Sequence, residues 1–69
     1  MRVDTQKLIG KIYERGYNKT SFAEVLDISR VTLRSYVKNP GSIPYSVIER
    51  MSAALSLSAD EARDIFFAV

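Results

Sequence analysis

The sequence predicts an all-α fold, a compact bundle of about five short helices. Three observations carry this prediction. Apolar residues recur at helical spacing nearly throughout, from Leu8 to Phe66. No segment alternates apolar and polar residues for long enough to make a strand. Helix-stopping and helix-starting residues also cut the chain into short pieces, at Gly16, at Asp27–Ile28–Ser29, across Asn39–Pro44 and at Ser58.

The first helix is expected over Thr5–Arg15, with Leu8, Ile9, Ile12 and Tyr13 as its buried stripe and Lys7, Lys11 and Arg15 on another side. Gly16 fits the left-handed position that ends a helix without a Cβ penalty. The second helix is expected over Thr20–Leu26. Asn18, Thr20 or Ser21 can cap it, and Ser21 as cap would pair with Glu24 in a capping box. After the break at Asp27–Ile28, Ser29 caps a third helix over Arg30–Lys38, its hydroxyl accepting from the amide of Val31 or Thr32. Asn39–Pro44 reads as a turn. Pro44 opens a fourth helix to about Leu55, burying Val47, Ile48, Met51, Ala54 and Leu55. Ser58 and Glu61 form a capping box that opens a fifth helix to about Phe67, with Ile65 and Phe66 closing the core over the first helix.

Composition narrows the function. At 69 residues the chain is expected to form one domain over residues 1–69, and a chain this size buries only about 60% of its unfolded surface. It contains no Cys and no His. That leaves no disulfide, no plausible zinc site and no Cys- or His-based nucleophilic catalysis, and no Gly-rich phosphate loop is present. No cofactor, metal or small-molecule ligand is expected, and the protein is not read as an enzyme. No apolar run has the length of a membrane span or a signal peptide, so an intracellular location is expected. Charge is unevenly spread. Residues 1–38 carry eight basic and four acidic side chains, +4, whereas residues 39–69 carry two and four, −2. A basic half beside an acidic half suits a polyanion on one face.

The break at residues 27–29 gives that face a geometry. Two short helices joined by a tight turn make a helix-turn-helix. In that motif the first helix braces against a DNA backbone, while the second lies in the major groove, which is about 12 Å wide and admits one helix. Ile28, Leu33 and Tyr36 can turn inward, which leaves Arg30, Val31, Arg34, Ser35 and Lys38 facing out.

The stretch FAEVLDISRVTLRSYVKN, residues 22–39, resembles the helix-turn-helix of the lambda-repressor-like and Cro-like regulators of phages and bacteria. The resemblance covers nearly the whole chain in architecture and residues 16–38 in motif. Ala23 matches the alanine of the bracing helix, and Ile28 the apolar residue after the turn. Ser29 matches the serine that opens the recognition helix, and Thr32 and Leu33 the threonine and apolar residue inside it. The resemblance implies sequence-specific binding to a double-stranded DNA operator, with motif residues 19–38. Arg30, Val31, Arg34 and Ser35 would read bases, and Lys19, Ser21, Thr32 and Lys38 would hold phosphates, with Lys7 or Lys11 as further candidates. By chemistry, Arg30 or Arg34 can pair with a guanine edge, and Val31 can pack on a thymine methyl. The resemblance further implies a homodimer on a two-fold site, for which Tyr45, Phe67 or Val69 could supply the contact, and a location in the cytoplasm of a bacterial host.

Three positions depart from the family pattern. Asp27 stands where the turn usually has glycine. Ile12 and Val37 stand where an arginine–glutamate pair is common, and are expected to pack together instead. The loop and fourth-helix start, NPGSIPYSVI, has no Lys or Arg for phosphates. The last departure supports an alternative partner: an antirepressor of the same fold would bind a phage repressor protein through Tyr17, Val25, Val31, Tyr36 and Tyr45.

Overall fold

The computed structural model describes residues 3–67, and Arg2 and Val69 lie outside them. Five helices follow one another: α1 (Thr5–Glu14), α2 (Lys19–Val25), α3 (Arg30–Lys38), α4 (Tyr45–Ala54) and α5 (Ala59–Phe66), with one turn of 3-10 helix at Pro40–Ser42 before α4. No strand occurs among the described residues. The all-α expectation and its five elements are borne out.

The starts of four helices are set by side chains near the caps. Asp4 accepts from the Lys7 amide at 3.2 Å. Asn18, of the three candidates for α2, is the cap. Its Oδ1 accepts from the Ser21 amide at 2.8 Å while Ser21 Oγ accepts from the Asn18 amide at 2.9 Å. Ser29 Oγ accepts from the Thr32 amide at 3.0 Å. The Ser58–Glu61 capping box forms as predicted, at 3.1 and 3.0 Å. Each such cap contributes about 1 kcal/mol by satisfying an amide that the helix leaves without a partner.

Three helices end in one way. Gly16, Asp27 and Ser56 have φ of 85°, 58° and 52°. Each donates its amide to a carbonyl three residues back, and the next residue donates to one five back. The pairs are Gly16 to Tyr13 and Tyr17 to Ile12, Asp27 to Glu24 and Ile28 to Ala23, and Ser56 to Ala53 and Leu57 to Ser52, all at 3.0–3.1 Å. This is the Schellman arrangement, whose apolar residue after the left-handed turn packs inward. Tyr17, Ile28 and Leu57 are those residues, and all three pack on the core.

The core takes Leu8 and Ile12 from α1, Phe22, Ala23 and Leu26 from α2 and its end, and Leu33 from α3. Ile43, Val47, Ile48, Met51 and Leu55 come from the α4 region, and Ile65 and Phe66 from α5. The Asp4 amide donates to the Ile65 carbonyl at 2.7 Å, tying the start of α1 to α5. Two expectations are corrected. Tyr13, assigned to the buried stripe, is 55% exposed, and Ile9 is only half-buried. Leu8 and Ile12 occupy the inward direction of α1, and Tyr13 points past it. Ile12 lies in the core, but Val37 is half-buried and is neither in the core cluster nor among the residues packed against it, so it does not join Ile12 there as expected.

Candidate nucleic-acid interface

The chain has ten Lys and Arg residues, and their surroundings sort them. Lys7 pairs with Asp64 at 3.5 Å, Lys11 with Glu14 at 3.2 Å and Glu61 at 2.6 Å, and Arg63 with Asp60 at 3.9 Å. Arg15 Nε donates to the Leu55 carbonyl at 3.0 Å, and Arg50 Nη1 donates to the Leu26 carbonyl at 2.7 Å. Among the described residues, Lys19, Arg30, Arg34 and Lys38 have no carboxylate within 4.0 Å. Those four lie on α2 and α3 and are exposed. Lys7 and Lys11, suggested as phosphate ligands, have carboxylate partners on α1 and α5.

The α1–α5 seam has its own electrostatics. The Lys11 ammonium beside Glu61 and the Ser58 amide hold the Glu61 carboxyl at about 2, well below the usual carboxylate range. Glu61 and Glu14 raise Lys11 in return.

The α2–turn–α3 unit is held from both ends. Asp27 makes the left-handed turn where the family pattern has glycine, and Asp tolerates that conformation better than most residues. Arg50, on α4, donates to the Leu26 carbonyl and so fixes the last turn of α2. Inside α3, Leu33 is buried, and Tyr36 and Ile28 pack on the core. Arg30, Val31, Arg34, Ser35 and Lys38 are exposed, Val31 at 76%. The inward and outward sets are those expected from the sequence.

Other nominated residues are more committed. Ser21 Oγ sits in the α2 capping box, and Thr32 Oγ1 is 2.8 Å from Ser29 Oγ at the α3 cap. Tyr17 is half-buried with its ring 5.6 Å from that of Phe22, and Tyr36 is half-buried too, both packed against the core. Phe67 is half-buried against the core, its ring 6.2 Å from that of Tyr45, which is 63% exposed.

Sequence reasoning missed Tyr13, Asn18 and Thr20 as neighbours of this surface. With Lys19, Arg30 and Arg34 they line an open cleft of about 390 Å³ between the end of α1, the start of α2 and α3. It missed Arg15 and Arg50 as carbonyl donors as well. Nothing in the local sequence marks which basic residue turns inward to a distant carbonyl.

Two helices crossing at a tight turn, with an outward second helix of unpaired cations, define a helix-turn-helix protein. The helix-turn-helix family model HTH_3 matches residues 11–61. The chain belongs to that family, the lambda-repressor- and Cro-like DNA-binding regulators. No curated protein and no solved structure matches the chain. No helix among the described residues is long and apolar enough to cross a membrane.

Proposed function

We propose that the protein is a sequence-specific transcriptional regulator of the phage Cro type. It places α3 in the major groove of an operator, and a homodimer sits on a two-fold site with half-sites about 34–36 Å apart. The observation that carries this is the segregation of cations. Those on the α1–α5 seam are paired, and those on α2 and α3 are not. An exposed group of unpaired cations beside a groove-sized helix suits phosphates, whose neutralisation releases counterions. Arg30, Val31, Arg34 and Ser35 form the surface that enters the groove, with Lys19 and Lys38 on flanking phosphates. In this homodimer Tyr45, which is 63% exposed with Phe67 beside it, supplies the contact to the second copy.

The test is a fluorescence-anisotropy titration against duplexes recovered by in vitro selection, over a range of salt. Tight binding that weakens steeply with salt is expected, and Arg30→Ala with Arg34→Ala abolishes it. Failure to bind any duplex at low salt would overturn the proposal. The exposure of Val31 and Val25, 76% and 52%, supports a second reading, an antirepressor that binds a phage repressor protein. That reading requires activity that survives the double arginine change but is lost with Val31→Asp or Tyr45→Asp.

A further inference from the structure

Arg30 and Arg34 do not occupy the same place on α3 as Val31 and Ser35. A helix advances about 100° per residue, so the direction opposite buried Leu33 falls between Val31 and Ser35, about 20° from each. Arg34 lies about 80° and Arg30 about 120° from that direction. Both arginines therefore leave the helix sideways, and the structure shows where they go. They line the open cleft shared with Tyr13, Asn18, Lys19 and Thr20. No carboxylate among the described residues is within 4.0 Å of its three cations. Its wall includes Tyr13, 55% exposed, whose hydroxyl can donate a hydrogen bond.

We infer that this cleft seats a phosphodiester of the DNA backbone, held by Lys19, Arg30 and Arg34 with the Tyr13 hydroxyl donating, and that base reading falls to Val31 and Ser35. The inference rests on the DNA-binding reading above and divides its four groove residues into two roles. A guanidinium fork suits two phosphate oxygens as well as it suits a guanine edge. The sideways exit of both arginines, toward the braced start of α2, selects the phosphate. Val31 faces the groove floor, where its methyls match a thymine methyl, and Ser35 hydrogen-bonds without strong preference. Direct base reading by α3 then rests on Val31 and Ser35, not on guanine contacts from the arginines.

The experiment uses the full chain and a duplex selected by the wild-type protein. Arg30→Ala, Arg34→Ala and Tyr13→Phe are each titrated against that duplex and against all its single-base-pair variants, at several salt concentrations. Thermal melts followed by circular dichroism establish that each variant is folded. The arginine variants are expected to lose about tenfold in affinity, equally on every duplex, with the salt slope shallower by about 0.9. Tyr13→Phe is expected to lose a few-fold, also equally. Replacing one phosphate by a neutral methylphosphonate should abolish the difference between Arg34→Ala and wild type at that position alone. Val31→Ala should instead relax preference at a thymine. If the loss in Arg30→Ala or Arg34→Ala is confined to duplexes that keep one guanine, the arginine reads a base and the inference is wrong, while the DNA-binding reading stands. If the wild type selects no duplex, both fall together.

Discussion

At residues 26–29, and again at residues 55–58, a helix ends on a buried leucine and passes through a left-handed residue. The chain then tucks an apolar side chain inward and restarts on a capping serine. Leu26–Asp27–Ile28–Ser29 and Leu55–Ser56–Leu57–Ser58 share backbone hydrogen bonds position by position. Each leucine carbonyl also receives a distant arginine, Arg50 for Leu26 and Arg15 for Leu55. The helices that follow differ. α5 begins with Asp60 and Glu61, which suit the positive end of its dipole; Glu61 and Asp64 pair with the α1 lysines Lys11 and Lys7, and Asp60 with Arg63 of its own helix. α3 has no acid in its first turn and opens on Arg30. The turn geometry therefore does not make a DNA-binding surface. It aims a helix, and the outward side chains decide what the aimed helix meets. The α5 acids have cationic partners inside the chain, whereas the cations of α3 have no carboxylate within 4.0 Å among the described residues.

The largest test of this parallel removes the two arginine struts. Arg50→Met and Arg15→Met each leave a partly buried carbonyl without its charged donor, and each is expected to cost about 1–3 kcal/mol in urea unfolding. They should differ in consequence. Arg50→Met loosens the α2 end and weakens DNA binding beyond its stability cost, whereas Arg15→Met leaves the affinity of the folded protein unchanged. Equal losses of affinity would break the distinction between the two turns.

A smaller effect comes from the left-handed residues. Asp27→Gly and Ser56→Gly remove the Cβ penalty at φ of 58° and 52°, offset in part by the greater freedom of glycine in the unfolded chain. Each should stabilise by about 0.5–1 kcal/mol, with the larger gain at Ser56, since Asp tolerates this conformation better. Thermal melts of the two variants check the order, and destabilisation by either would mean that the side chain has a role the backbone does not reveal.

The smallest effect is confined to acid. The folded Glu61 carboxyl sits at about 2, below its ordinary value of 4.5. Its contribution to stability is thus complete above about 4.5 and is lost as pH falls from there toward 2. Glu61→Gln should remove that part of the acid dependence while keeping the amide-accepting cap. Identical stability–pH curves between pH 2 and 5 would show that the Lys11–Glu61 pair does not link α1 to α5 in solution.

Much of this was legible beforehand. The bounds of α3, the Ser29 cap and the Ser58–Glu61 box follow from interactions between residues three apart, which a sequence displays directly. Asp27 as the turning residue was legible by alignment with the helix-turn-helix pattern, but Ser56 was not, because serine carries no signal for a left-handed backbone. Tyr13 was misplaced because it follows Ile12 at the edge of an apolar stripe, where periodicity alone does not say which aromatic faces in. The site itself was half legible. The outward residues of α3 could be listed from the sequence, but the cleft that gathers Arg30 and Arg34 with Lys19 and Tyr13 joins three helices.

The sequence by itself determined the five helices, the Ser29 and Ser58 caps and the inward and outward faces of α3, since each depends on neighbours within a turn or two of the chain. Only the tertiary structure decided which cations remain available. Lys7 meets Asp64 across 57 positions, Arg15 reaches the Leu55 carbonyl across 40, and Arg50 reaches the Leu26 carbonyl across 24. Charge is counted along a chain but neutralised through space, and packing α1 and α4 against their distant partners is what leaves the unpaired positive charge on α2 and α3.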